Sequence, residues 1–148
     1  MPARINHYEA VLRICVDELG EGGIRGRVVS RRLTEPMPFS DVGHLLLQLE
    51  EVFDHQNFPQ AFERRRTFGA RQEESSLPLA QTLEQGMDPE EVARAAGQVT
   101  TFDLYVITRR NTTWQGFVDW LDGSPRSHYK SVLELLKLID LLSFSERK

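Results

Sequence analysis

Apolar and polar residues alternate over residues 101–108. Phe102, Leu104 and Val106 fall on one side, and Asp103, Tyr105 and Ile107 on the other. A period of two, rich in β-branched and aromatic residues, predicts a strand. Arg109, Arg110, Asn111 and Thr112 predict a polar turn. A second strand follows over residues 113–121, with Trp114, Gly116, Val118 and Trp120 in phase. Asp122, Gly123, Ser124 and Pro125 form a strong turn signal, and Ser127, His128 and Tyr129 read as a short extended piece. Ser131 then opens a helix. Val132, Leu135, Leu136, Ile139 and Leu142 fall at helical spacing, and Glu134 stands three residues after Ser131, as in a capping box.

The N-terminal part carries the same pattern. Gly26 precedes Gly116 by 90 positions. At that offset Val16 matches Val106, Val28 matches Val118, Val42 matches Val132, and Leu45 and Leu46 match Leu135 and Leu136. Leu12 faces Phe102, Ile14 faces Leu104, Phe39 faces Tyr129 and Leu49 faces Ile139. No gap is needed between Leu12 and Val52. Self-similarity at a fixed spacing points to a duplicated structural unit. The repeat also resolves an ambiguity. Tyr8, Val11, Leu12, Cys15 and Leu19 fit a helical face, but the matching segment at Phe102 alternates, so residues 9–18 predict a strand. A glycine-rich turn at residues 20–23 leads into a strand over residues 24–32. Residues 36–39 predict a third, irregular strand at an edge, because Pro36 and Pro38 cannot donate to a ladder. Ser40 or Asp41 caps a helix reaching about His55. A glycine inside a strand marks a bulge or a close approach. At Gly26 and Gly116 the expectation is a bend that wraps the sheet over its helix, with an aromatic ring lying across the glycine as the alternative.

The expected fold is α+β. Two tandem β-β-β-α units, residues 1–56 and 100–148, form an antiparallel sheet with a helix from each packed on one face, related by a pseudo-twofold axis. Residues 57–99 connect them. Residues 59–68 predict a short helix with Phe58, Phe62 and Phe68 docking on a core, and residues 69–78 read as polar and mobile. Asp88-Pro89-Glu90-Glu91 starts a helix that ends at Gly97. Residues 69–99 hold six acids (Glu73, Glu74, Glu84, Asp88, Glu90 and Glu91) and two bases (Arg71 and Arg94), which accounts for the whole formal charge of −4.

At 40% hydrophobic and 27% charged residues, the composition is that of a soluble globular chain. No apolar run is long enough for a transmembrane helix, and the N-terminus lacks the apolar core of a secretory signal. The single cysteine, Cys15, has no partner for an internal disulfide. Together these features predict a cytoplasmic protein.

Candidate chemistry is sparse. Glu51 and His55 are spaced to share a ligand on a helix, but no second pair completes a zinc set, and a solvated helix end is the better reading. Cys15 has Arg13 and Asp17 on its strand face and no adjacent base. The carboxylates form no recognisable acid–base pair, and the glycines at 20–23 lack the context of a phosphate loop. No cofactor and no catalytic residue is expected. Arginine is the most suggestive residue type. Arg25, Arg27 and Arg31 share one face of the second strand beside Arg32, Arg64-Arg65-Arg66 follow the first helix, and Arg109-Arg110 lie in a turn. A solvated, internally paired face is the better reading; with Trp114 and Tyr105 nearby, the surface otherwise fits an acidic protein, self-association, the acidic connector itself or, less well, single-stranded nucleic acid. Trp114 and Trp120 read as core or as a ligand platform, and with His128 they are candidates for a site between the units.

Arg110-Asn111-Thr112-Thr113-Trp114-Gln115-Gly116, followed by the helix from Ser131 to Asp140, resembles small uncharacterised bacterial proteins. Arg25-Gly26-Arg27-Val28 with Pro36-Met37-Pro38-Phe39 is similar to a second such group. Each resemblance covers one half only. It implies a bacterial protein and carries no activity, cofactor or site residue. The expectation is a non-enzymatic protein-interaction or regulatory module, with Arg25, Arg27, Arg31, Arg64, Arg65, Arg66, Trp114 and Trp120 as candidate binding residues. A nucleic-acid-binding protein is the alternative.

Overall fold

The computed structural model describes residues 7–20, 23–59 and 76–146. The alternating segments form strands, as their period requires: β1 (Leu12–Gly20), β2 (Gly23–Val29), β3 (Met37–Phe39), β4 (Thr100–Thr108), β5 (Gln115–Asp119) and β6 (Ser127–Tyr129). They make one antiparallel six-stranded sheet in the order β3-β2-β1-β4-β5-β6. The segment around Cys15 is a strand, although it starts three residues later than its pattern suggests. β2 stops at Val29, so Arg31 and Arg32 lie beyond it, and Trp114 and Trp120 flank β5 rather than belonging to it. β3 lies at an edge, where Pro38 costs no ladder bond to a further strand.

The α-helices among the described residues are α1 (Val42–Gln56), α2 (Pro89–Arg94) and α3 (Val132–Glu146), with a 3-10 turn at Leu83–Gln85. Asp41 caps α1 by accepting the His44 N–H at 2.8 Å, and Asn57 ends it in the left-handed region. Ser131 Oγ accepts the Glu134 N–H at 3.1 Å. The Glu134 carboxylate in turn reaches the Lys130 N–H at 2.7 Å, one residue earlier than a capping box places it. α2 has a full capping box between Asp88 and Glu91, with Pro89 at its first position. It ends at Arg94, short of Gly97. The helix expected over residues 59–68 and most of the polar stretch 69–78 lie outside the described residues.

One core runs through the whole sheet. Leu12, Ile14 and Val16 from β1, Ile24 and Val28 from β2, Phe102, Leu104 and Val106 from β4, and Val118 from β5 pack against Leu45, Leu49, Val52 and Phe53 of α1 and Leu135 and Ile139 of α3. Both long helices therefore cover the same face. Each fully buried leucine or isoleucine contributes roughly 1.5–3 kcal/mol relative to exposure.

β1 and β4 pair down the middle of the sheet with Arg13 opposite Asp103, Leu12 opposite Leu104 and Ile14 opposite Phe102. The strand glycines sit beside them in closely packed positions. A Cβ on Gly26 would lie 1.9 Å from the Cys15 carbonyl oxygen, and one on Gly116 would lie 1.9 Å from the Tyr105 carbonyl oxygen and 2.8 Å from the Tyr129 hydroxyl. That hydroxyl donates to the Tyr105 carbonyl at 2.7 Å. Gly116 thus marks a close approach, with a tyrosine reaching across it, rather than only the expected bend.

Candidate functional site

The face of the sheet opposite α1 and α3 divides into two halves. On the first half, Cys15 of β1 and Val29 of β2 are covered by Val92 of α2, with Met87 and Ala95 beside it. Arginines tie this cover down. Arg13 donates to the Ala93 carbonyl at 2.8 Å while its other nitrogens hold both oxygens of Asp103 at 2.8 and 3.1 Å. Arg27 donates to the Ala96 carbonyl at 2.9 Å and to Asp17 at 2.7 Å, and Asp17 also accepts the Gln98 N–H at 2.9 Å. Carbonyls in the last turn of α2 and just past its end have no intrahelical donor, which is why guanidinium groups suit them.

The arginine-lined strand is therefore an internally paired surface. Arg25 pairs with Glu18 at 3.3 Å and is well exposed. Arg27 is held by Asp17 and the connector. Arg31, past the end of β2, lies 3.8 Å from Glu9, and its Nε is buried without a hydrogen-bond partner. The connector does cover this face, but through its backbone carbonyls and apolar side chains. Its acids Asp88 and Glu91 are engaged in their own capping box. Arg64, Arg65 and Arg66 lie outside the described residues.

Arg32 and Arg109 are buried anchors. Arg32 donates to the Gln56 side chain at 2.8 Å and to the Phe58 carbonyl. Burial and the nearby Arg109 charge bring its pKa down to about 9, so it stays charged at neutral pH. Arg109 does not decorate a solvated turn. It reaches Asp54 at 2.8 Å and the Pro59 carbonyl at 2.6 Å. The two guanidinium groups lie 5.1 and 5.7 Å from the Phe53 ring centre, fastening the end of α1 to the sheet.

The tryptophans belong to the core side. Trp114 is 2% exposed, meets Phe53 edge-on at 5.1 Å and donates to Glu50 at 2.9 Å. Its ring offers no surface to a ligand, because its N–H and faces are used in joining β5 to α1. Trp120 is half-buried against Phe102 and donates to Ser127 at 2.8 Å. His128 points to the opposite face, so the proposed Trp114, Trp120 and His128 site between the units is not brought together. The Cys15 thiol is fully buried, and burial raises its pKa, which makes it a poor nucleophile. Among the described residues no three histidine, cysteine or acidic side chains converge as metal ligands.

The second half of the outer face has no such cover among the described residues. A row of rings crosses it. Tyr8 meets Tyr105 edge-on at 5.8 Å, Tyr105 stacks on Phe117 at 4.5 Å, and Phe117 lies 5.6 Å from His128. Tyr105 and Phe117 are direct cross-strand neighbours, as are Phe117 and His128, so strand pairing itself aligns the row. Arg126 lies 4.5 Å above the Phe117 ring. Tyr8 is 65% exposed, Arg126 and His128 are exposed, and Tyr105 and Phe117 are half-buried. Burial, reinforced by Asp103 and Asp119, raises the Tyr105 pKa. The alternation at 103, 105 and 107 marks this face in the sequence. Phe117 and Arg126 escape notice because the in-phase tryptophans draw attention to the other side of β5.

An open groove of about 410 Å³ lies at the β3 edge between Arg25, Gly26, Phe39 and His44. Its charged rim is satisfied by the Arg25–Glu18 and Arg27–Asp17 pairs, and His44 Nδ1 accepts the Ser40 N–H at 3.1 Å in the approach to α1. No helix among the described residues is long and apolar enough to cross a membrane. No protein-family model, curated protein or solved structure matches this chain.

Proposed function

We propose that this chain is a non-enzymatic protein-interaction module. In this reading it is a tandem duplication of one β-β-β-α unit, and the docking surface is the open half of its outer sheet face. Several equivalences support the duplication. Val16 pairs with Gly26 as Val106 pairs with Gly116, and Gly26 pairs with Phe39 as Gly116 pairs with Tyr129. Both first hairpins carry a register shift, at Val16/Glu18 and at Val106/Thr108. β1 pairs with β4 so that Arg13 lies opposite Asp103, its own equivalent at the spacing of 90, as a pseudo-twofold axis through that pair requires.

What carries the functional reading is the inequality of the two halves. The connector seals the Cys15 side, while the corresponding Tyr105 side retains a row of aromatic rings beside exposed Arg126 and His128. Aromatic and arginine side chains are the residue types that dominate protein-binding energetics. Nucleic acid suits the surface less well. A base needs an open ring face, and Tyr105 and Phe117 already stack on one another at an interplanar angle of 23°. Of the arginines that gave the nucleic-acid reading its force, Arg25, Arg27 and Arg31 are paired internally.

A photo-crosslinking side chain in place of Phe117, introduced into the full chain in the cells that make it, tests this. A discrete protein adduct is expected from position 117 and none from Glu90, an exposed position on the sealing helix. No adduct at 117, or equal adducts at both positions, would sink the reading.

A further inference from the structure

The two edges of the sheet are not alike. At β3 the edge carries Pro36 and Pro38, and the Pro38 carbonyl is capped by the Gln48 side chain at 3.0 Å. Proline and capping of this kind keep an edge from accepting another strand. The other edge, β6, has no proline within it and, among the described residues, pairs with β5 alone; just past it, the Lys130 N–H donates to Glu134 at 2.7 Å and the Lys130 carbonyl accepts from Gln115 at 3.3 Å. His128 of β6 lies opposite Phe117 on the outer face, Arg126 just before the strand lies over the Phe117 ring, and Lys130 just beyond it continues the spacing of two. All three are exposed. Among the described residues none of them makes an ion pair, whereas Arg13, Arg25, Arg27 and Arg31 on the first half each have a carboxylate partner. Asp119 on β5 accepts the Leu121 N–H at 3.1 Å and, among the described residues, forms no ion pair.

We infer that β6 is the receiving edge for an extended acidic segment of the partner protein. An added strand takes main-chain hydrogen bonds from the open side of β6 and places its own side chains beside those of Arg126, His128 and Lys130. Acids at alternate positions complement that row, and opposite charges across strands are the favourable pairing. The residues between them turn toward the helix-covered face, so apolar side chains suit those positions. The inference rests on the docking face proposed above and adds its chemistry.

The test uses the full chain and two labelled peptides, one alternating glutamate with valine and one alternating lysine with valine. The glutamate peptide is expected to bind at least about tenfold tighter at low salt, with the preference shrinking as salt rises. Amide-exchange protection should appear at residues 127–129. The double variant Arg126→Glu/Lys130→Glu should reverse the preference, and Arg126→Gln/Lys130→Gln should abolish it. Unchanged amide protection in β5 would show that both variants keep the sheet. Equal binding of the two peptides, or a preference that survives charge reversal, overturns the inference. So does tighter binding of a single-stranded oligonucleotide to the same residues, or self-pairing of β6 that excludes the peptide. A crosslink at position 117 with no peptide preference would defeat this inference alone. Loss of the crosslink would defeat the docking face itself.

Discussion

A methyl group at Gly116 has nowhere to go. Its Cβ would sit 1.9 Å from the Tyr105 carbonyl oxygen and 2.8 Å from the Tyr129 hydroxyl. The first neighbour is backbone in the middle of β4, so relief requires β5 to move away from β4. Overpacking of this kind costs roughly 1–3 kcal/mol. Displacing the hydroxyl breaks its 2.7 Å bond to the Tyr105 carbonyl, and leaving those groups unsatisfied adds about 1–3 kcal/mol. Alanine returns roughly 0.5–1 kcal/mol over glycine through lost unfolded-state freedom. Gly116→Ala should therefore destabilise the chain by about 2–5 kcal/mol, a large share of the ~5–15 kcal/mol typical of a domain. Urea unfolding followed by tryptophan fluorescence reads this directly, because Trp114 is buried against Phe53. With slopes of about 1–3 kcal/mol/M the midpoint should fall by about 0.7 M or more. Gly26→Ala should cost less, since it meets the Cys15 carbonyl at the same 1.9 Å but no tyrosine hydroxyl. Gly20→Ala, with no atom within 4 Å, should be neutral. Tyr129→Phe combined with Gly116→Ala should cost less than the sum of the two, because both remove the same bond. A loss below about 1 kcal/mol for Gly116→Ala, or a Gly20→Ala loss that equals it, would refute the close-approach account.

Two further outcomes follow from the outer face. Asp103→Asn strips the carboxylate from Arg13 in a pair whose side chains are 15% and 9% exposed. Its cost in thermal or urea unfolding should approach, without reaching, the roughly 3–5 kcal/mol of a fully buried pair. Exchanging the two residues should recover only part of this, because an arginine at position 103 replaces the one that holds the Ala93 carbonyl. Val92→Asp should lift α2 from the sheet, and Cys15 should then alkylate at least about tenfold faster while the main unfolding transition moves little, as expected for local opening; an unchanged rate would show that something other than α2 protects the thiol.

The strands and long helices were legible in the sequence because their periods are strong and their caps are explicit. Alternation at Phe102, Leu104 and Val106 and helical spacing at Leu135 and Ile139 each carry local information. The match at a spacing of 90 positions supplied what local pattern lacked, the strand around Cys15. The surface was harder to read. Nothing in the order of residues says that Arg13 meets Asp103 and the Ala93 carbonyl, or that Arg109 leaves its turn for Asp54. Those contacts arise only once β1 lies beside β4 and α1 lies over both. The arginines stood out by count, yet their partners are distant in the chain. The less conspicuous Phe117 and Arg126 lie on the half of the face without a cover among the described residues.

The Arg13–Asp103 pair has a consequence for assembly. β1 and β4 pair with these two residues directly opposite one another. If β1 paired in that register with β1 of another molecule, Arg13 would face Arg13. If β4 paired with its own copy, Asp103 would face Asp103. Like charges directly opposite one another disfavour both arrangements. Opposite charges at this position therefore make β1 and β4 mates for each other and poor mates for themselves, so sheets joined like strand to like strand between molecules are disfavoured.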